Sequence, residues 1–291
     1  MEKRTAVLIT GASRGFGRCL ALDFARELAS SDLDLFLWAR DEKSLQETSR
    51  LVQQAQISLE QRKKLQLFIQ SVDLSDSADY MEKADILLKE LTSAGHYDRV
   101  ILVHNAGAVG NLGLAQECPP PIEVSRHFEL NVTSVMWLNK RFLDVFGASR
   151  GEIFSATANQ AQGSNNTTKL IVVNVSSRAA IAPYKTFNLY CTAKAAREMH
   201  FRVLALEQAC CNKVRVLSYS PGAMDTDIQQ TVRESPLMAP ELKQWFVEMK
   251  EEGTLVPTEK SSRRVVIVTI NEDFESGKHI TFDDLSYVDQ A

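Results

Sequence analysis

The chain has 291 residues, 44% hydrophobic and 24% charged, with a formal net charge of −4 and a pI of about 5.8. This is the make-up of a soluble globular protein with ample apolar material for one large α/β domain, and it excludes a global positive field for nucleic acid or an anionic membrane. The five cysteines, Cys19, Cys118, Cys191, Cys210 and Cys211, show no paired Cys-x-x-Cys spacing; they suit a reducing cytoplasm, and no metal site is expected.

The N-terminal stretch MEKRTAVLITGAS carries only the short run AVLIT before a glycine turn, too little for a signal-peptide core. No later run approaches the ~18 apolar residues of a membrane span. After the strand at 6–10, the pattern predicts a helix over 16–29 and strands at 33–40 and 65–74. A helix follows at 76–93, a strand at 99–107 and a long helix at 122–146. The polar, amide-rich stretch 149–169 reads as an inserted surface loop. A strand at 169–177, a helix at 190–209 and a strand at 214–222 complete the alternation. RRVVIVTI at 263–270 is strand-like by β-branching, although it also suits a helix begun by Thr258. Nearly continuous apolar strands alternating with amphipathic helices predict a single-domain, Rossmann-like, doubly wound parallel sheet with helices on both faces.

The first strand runs into TGASRGFGR, with glycines at 11, 15 and 17, and then into a helical pattern. Glycine lets the backbone approach a pyrophosphate and turn sharply, and free amides at a helix start attract phosphate. Strand two ends in LWAR rather than in the acidic residue that would bind an NAD ribose. Arg40 there and Arg14 in the turn can grip a 2′-phosphate, which favours NADPH. Asp41, next to Arg40, opposes that phosphate in part.

In NLYCTAKAAREMH, Tyr190 and Lys194 are four residues apart, so they share a helix face with Cβ atoms roughly 6 Å apart. An adjacent ammonium favours phenolate, so the spacing predicts a phenol pKa below its usual ~10 and a Tyr able to donate a proton.

Taken together, TGASRGFG, Asp73 after strand three, HNAG, Asn131, NVSS, YCTAK and PGAMDT resemble the short-chain dehydrogenase/reductase family, in order and over almost the whole chain. The resemblance implies that Tyr190 protonates a substrate carbonyl, that Ser177 stabilises its oxygen, that Lys194 holds the nicotinamide ribose, and that Asn131 completes a water-mediated proton path. It implies cofactor contacts from Gly11, Ala12, Ser13, Arg14, Gly15, Phe16 and Gly17, and from Arg40, Asp41, Asp73, Leu74, Asn105 and Lys194. Further contacts are implied along Met224, Asp225, Thr226, Asp227, Ile228 and Gln229. His104 departs from the family's first Asn of Asn-Asn-Ala-Gly and reads as structural.

Longer strings, LYCTAKAAREM, VRVLSYSPGAMDTDIQQ and FESGKHITFDD, are similar to family members that reduce pterin side-chain carbonyls with NADPH in tetrahydrobiopterin synthesis. That implies a pterin pocket lined by Ser177, Tyr190, Gly222 and residues around Phe187, and a homodimer packed through helices 122–146 and 190–206. Thr281 stands where those proteins have a pterin-anchoring Asp. On a continuing strand Asp283 faces the same side and is the expected replacement, with Asp284 pointing away. A broader NADPH-dependent ketone or dicarbonyl reductase is the alternative, and a non-catalytic NADP-binding regulatory protein is the rival from another class. Intact Ser177, Tyr190 and Lys194 argue against the latter.

Overall fold

A computed structural model describes residues 4–57, 63–155, 168–210 and 212–290. Six strands sit where the apolar runs predict them: β1 Arg4–Thr10, β2 Asp32–Ala39, β3 Leu65–Ser71, β4 Arg99–His104, β5 Lys169–Val175 and β6 Val214–Ser220. A short seventh, β7 His279–Thr281, pairs with β6. All pair parallel in the order β3-β2-β1-β4-β5-β6-β7. This is the doubly wound arrangement, whose ligand crevice lies beyond the strand C-termini where the order reverses, here between β1 and β4.

Alternation along the strands divides the core in two. Val7, Ile9, Leu35, Ile101, Val173 and Leu217 face one layer, while Ala6, Leu8, Val100, Leu102, Val172 and Val216 face the other. The first layer is covered by α1 Gly15–Glu27, α2 Glu42–Ile57 and the last helix; the second by α3 Ser77–Ser93, α5 Ser134–Phe146 and α7 Asn188–Glu207, with α4 Pro121–Phe128 preceding α5. Between these lies α6 Arg150–Phe154, and after β6 come α8 Asp227–Glu234, α9 Pro240–Glu251 and α10 Thr258–Asn271. Among the described residues no helix is long and apolar enough to cross a membrane.

The ambiguous stretch 263–270 is helical. Val265, Val266, Val268 and Thr269 are buried in α10, a spacing that seats one face against α1; packing overrides β-branching. The predicted helix 122–146 is not regular: residues Glu129–Thr133 form a π-helical turn between α4 and α5. Of the predicted insertion, Ser149 caps α6 by accepting from the Glu152 amide, and Lys213 pairs with Glu152 at 2.7 Å. Residues 156–167 lie outside the described residues.

Candidate active site

Beyond the C-terminal ends of the strands lies a cleft of about 1230 Å³. Its near end is the glycine turn. Gly11 has φ +68° and Gly15 φ +52°, where an L side chain is strained. A Cβ on Gly15 would meet only Thr226 Cγ2 at 3.7 Å, so this side stays open for close approach of a ligand. Gly17 serves the other purpose: a Cβ there would lie 2.1 Å from Gly11 O, so only glycine lets α1 pack onto the turn. Asn105 clamps it by donating from Nδ2 to Thr10 O and Gly11 O, both at 3.0 Å. The open glycine face and the uncapped amides of α1 fit a dinucleotide pyrophosphate.

Farther along, Trp38, Arg40, Asp41, Ser44, Val72 and Leu74 line the region for the adenosine end. The Asp41 carboxylate accepts from the Ser44 amide at 2.7 Å and is held below the usual carboxylate range by that bond. Its charge is thereby directed to the start of α2, while Arg40 is in no ion pair among the described residues. Arg14 is paired with Asp227, and both are exposed.

The structure brings most of the sequence-predicted cofactor residues to the cleft wall: Gly11, Ser13, Arg14, Gly15, Phe16, Gly17, Arg40, Asp41, Leu74, Asn105, Lys194, Met224, Thr226, Asp227, Ile228 and Gln229. Three are placed elsewhere. Ala12 is fully buried behind the turn, its amide donating to Trp38 O. The Asp73 side chain caps its own turn by accepting from the Ser75 amide and hydroxyl. The Asp225 carboxylate is taken by Arg233 and Lys250.

At the centre, Ser177, Tyr190 and Lys194 converge, all lining the cleft. Ser177 Oγ accepts from the Ala179 amide at 3.1 Å, and its hydroxyl acts on the Tyr190 phenol in the sense that favours phenolate. Ser176, the adjacent hydroxyl, is buried and donates to Glu198 Oε2 at 2.8 Å. Lys194 is buried and donates to Val175 O at 2.7 Å, with Nζ 5.6 Å from the Tyr190 ring centroid.

The expected depression of the phenol pKa is not what the structure shows. Burial raises the Tyr190 pKa, and the Ser177 hydroxyl and the Arg197 guanidinium offset this only in part. Lys194 is itself pushed well below the ordinary lysine value, first by burial and then by the like charge of Arg197, with Glu198 acting in the opposite sense. Helical spacing gave the proximity of the pair but not its desolvation, and desolvation is the larger effect here.

Asn131 sits in the π turn, 1% exposed, its Oδ1 accepting from the Ala108 amide and its Nδ2 donating to His127 O. Gly107 lies beneath both it and Lys194: a Cβ there would be 3.0 Å from Asn131 Oδ1 and 3.9 Å from Lys194 Nζ. His104 is turned into the core, bonded to Asn139 at 2.8 Å and pushed down to about 3 by burial, a structural placement.

The outer wall is apolar. Tyr184, Phe187, Trp245, Phe246 and Met249 line it, and Phe187 packs against Tyr190 and Phe246 at ring-centroid distances of 6.0 and 6.5 Å. Trp245, Phe246 and Met249 come from α9, which hydropathy did not single out because it is mixed in polarity. Gly222 lines it at φ +87°, where a Cβ would meet Val256 Cγ2 at 2.6 Å. Strand β7 stops at Thr281, so the alternation argument for Asp283 does not apply; Asp283 reaches the cleft rim from the turn that follows. Asp284 turns back instead, accepting from the Thr281 amide and hydroxyl at 2.7 Å each.

A family model described as short chain dehydrogenase matches residues 5–237. Sepiapterin reductase of Meriones unguiculatus is 36% identical over 278 residues, covering 95% of each chain. Sepiapterin reductase of Bos taurus is 36% identical over 282 residues, covering 97% of this chain and 95% of the other. Among solved structures, a short chain dehydrogenase/reductase of Saccharomyces cerevisiae has the same fold, with TM-score 0.74 at 20% identity over 97% of this chain and 98% of that one.

Proposed function

The chain belongs to the short-chain dehydrogenase/reductase family of NAD(P)-dependent oxidoreductases, and from that premise we propose that it reduces pterin side-chain carbonyls with NADPH, as a sepiapterin reductase in tetrahydrobiopterin formation. The observation that carries the reading is the convergence of Ser177, Tyr190 and Lys194 in one cleft with the glycine turn. The similarity to sepiapterin reductases over nearly the full chain supports the substrate class.

Bound in the cleft, NADPH supplies the hydride. The protein supplies the rest. Tyr190 donates its proton to the carbonyl oxygen; because burial holds the phenol in its neutral, protonated form, it still carries that proton when the step begins. The Ser177 hydroxyl steadies the developing negative charge. Lys194, fixed by Val175 O, orients the ribose and stabilises the phenolate, and Asn131 above Gly107 supports the path by which the proton is replaced. The aromatic wall from Tyr184 to Phe246 excludes water and receives a flat ring.

Arg40 favours NADPH over NADH, because among the described residues its guanidinium has no competing carboxylate once Asp41 caps α2. Replacing Arg40 by Ala is expected to weaken NADPH binding about tenfold, the equivalent of one charge-assisted contact. NADH binding should stay within a factor of two or so; equal losses for both, measured by fluorescence titration, would remove Arg40 from cofactor selection.

Met136 on α5 and Met199, Val203 and Leu206 on α7 leave an exposed apolar face that suits a homodimer. Cys19, Cys118 and Cys191 are thiols and suit the cytoplasm.

The function is tested by NADPH oxidation with sepiapterin and with simple diketones. Efficient turnover of sepiapterin is expected. Negligible turnover of pterins beside efficient turnover of diketones would replace this reading by that of a broader carbonyl reductase.

A further inference from the structure

Helix α7 buries three charged side chains along the face that carries Tyr190. Lys194, Arg197 and Glu198 are 4%, 1% and 3% exposed, at the spacing i+4, i+7 and i+8 from the tyrosine. Arg197 is held entirely by neutral oxygens: Nε donates to Asn174 Oδ1 at 3.1 Å, and the Nη groups to Ala106 O and His104 O at 3.2 and 2.8 Å. Among the described residues no carboxylate bonds either cation directly. Two buried cations side by side are costly unless an anion faces them, and Glu198 is the carboxylate that does.

Glu198 is held from three strands. From β5, Ser176 donates to Oε2 at 2.8 Å. From β6, Ser218 also favours the ionised carboxylate. From β7, His279 Nδ1 lies 3.0 Å from Oε2, its ring only 6% exposed, and the other ring nitrogen meets Ser220 Oγ of β6 at 2.7 Å. On the helix itself, Arg202 Nε stands 3.6 Å from Oε1 at the solvent side. Burial raises the carboxyl pKa, but His279 and the two serines outweigh it and the group stays below its ordinary range.

The positions of these partners matter. Ser176 precedes Ser177, Ser220 precedes the Pro221–Gly222 turn, and His279 lies two residues before Thr281, so each strand end that Glu198 grips leads directly into the cleft wall. We propose that Glu198, gripped by His279, is a positioning residue for the reaction at Tyr190: its buried carboxylate fixes α7 over the ends of β5, β6 and β7 and balances the two cations beside the phenol. This rests on the reading of Tyr190 as proton donor given above.

The test is the pH dependence of kcat for the NADPH-loaded protein, with sepiapterin and with a simple diketone, alongside KM and Tm. In Glu198→Gln the anion facing Lys194 is gone, so Lys194 loses its proton at lower pH and the alkaline limb of kcat moves down by about one pH unit. Glu198→Asp should restore most of that shift. In His279→Asn the carboxylate loses its buried partner and takes up a proton at higher pH, so the acid limb moves up instead. KM should change little in either. A purely structural seam predicts a lower Tm with both limbs in place, and that result would overturn the proposal. If Glu198→Gln does not fold, the acid limb of His279→Asn decides alone. Diketone turnover without pterin turnover would overturn the pterin assignment, while the limbs measured on the diketone still decide this one.

Discussion

Tyr190→Phe is expected to lower kcat by about 10²- to 10⁴-fold, the range for loss of a positioned acid, while NADPH binds as in the natural protein. The substitution is close to a pure deletion of the hydroxyl. The ring keeps its packing against Phe187, with centroids 6.0 Å apart, and Lys194 remains over it, 5.6 Å from the centroid and bonded to Val175 O. What disappears is the proton that burial keeps on the phenol. Steady-state NADPH oxidation together with a fluorescence binding titration separates the two effects. Undiminished turnover would take Tyr190 out of the chemistry.

Gly17→Ala should be the most damaging single methyl in the cofactor half. The new carbon would sit 2.1 Å from Gly11 O and 2.6 Å from Asn105 Nδ2, and neither can retreat. Gly11 is fixed at φ +68°, and Asn105 Nδ2 is bonded to both Thr10 O and Gly11 O. Relief requires α1 to move off the strand end, at a cost of about 1–3 kcal/mol for overpacking, and the movement displaces the amides that face the pyrophosphate. A lower Tm and at least about a tenfold loss of NADPH affinity are expected. Gly15→Ala is the control: it has open space around its Cβ and only the positive-φ strain of roughly 1–2 kcal/mol. Equal behaviour of the two variants in thermal unfolding would show that the close approach is not what glycine provides at 17.

Strands were legible because a strand buried on both faces is a short, nearly unbroken apolar run, and six such runs stand out in this chain. The glycine turn was legible because its position between strand one and a helix is itself informative. The seventh strand was not, since His279–Thr281 has three residues and is defined by pairing with β6 rather than by any local pattern. Helix α9 escaped for a related reason: Trp245, Phe246 and Met249 are spaced for a cleft wall and not for the main core, so no long amphipathic stripe announces it. In the centre, the spacing of Tyr190 and Lys194 gave their common face. It could not give the burial that raises one pKa and lowers the other. Arg197 and Glu198 continue that same face, and reading the stripe one turn farther would have found them.

Asp73 and Asp225 show the opposite limit. Both lie beside the cleft in sequence, flanked by lining residues such as Leu74 and Met224, yet their carboxylates are consumed by the Ser75 turn and by Arg233 and Lys250. Which polar neighbour wins an aspartate is a tertiary matter that spacing does not record.

The wide turn at Glu129–Thr133 inserts one residue into an otherwise continuous helical rod. One extra residue advances the helical phase by about 100°, so the helix leaves this turn facing a different way from how it entered. Upstream, Ile122 is 70% exposed; downstream, Val135, Leu138 and Phe142 point straight into the core. The insertion is therefore a phase shifter: it frees the Asn131 amide for Ala108 and His127 while keeping the rest of the rod in step with the sheet.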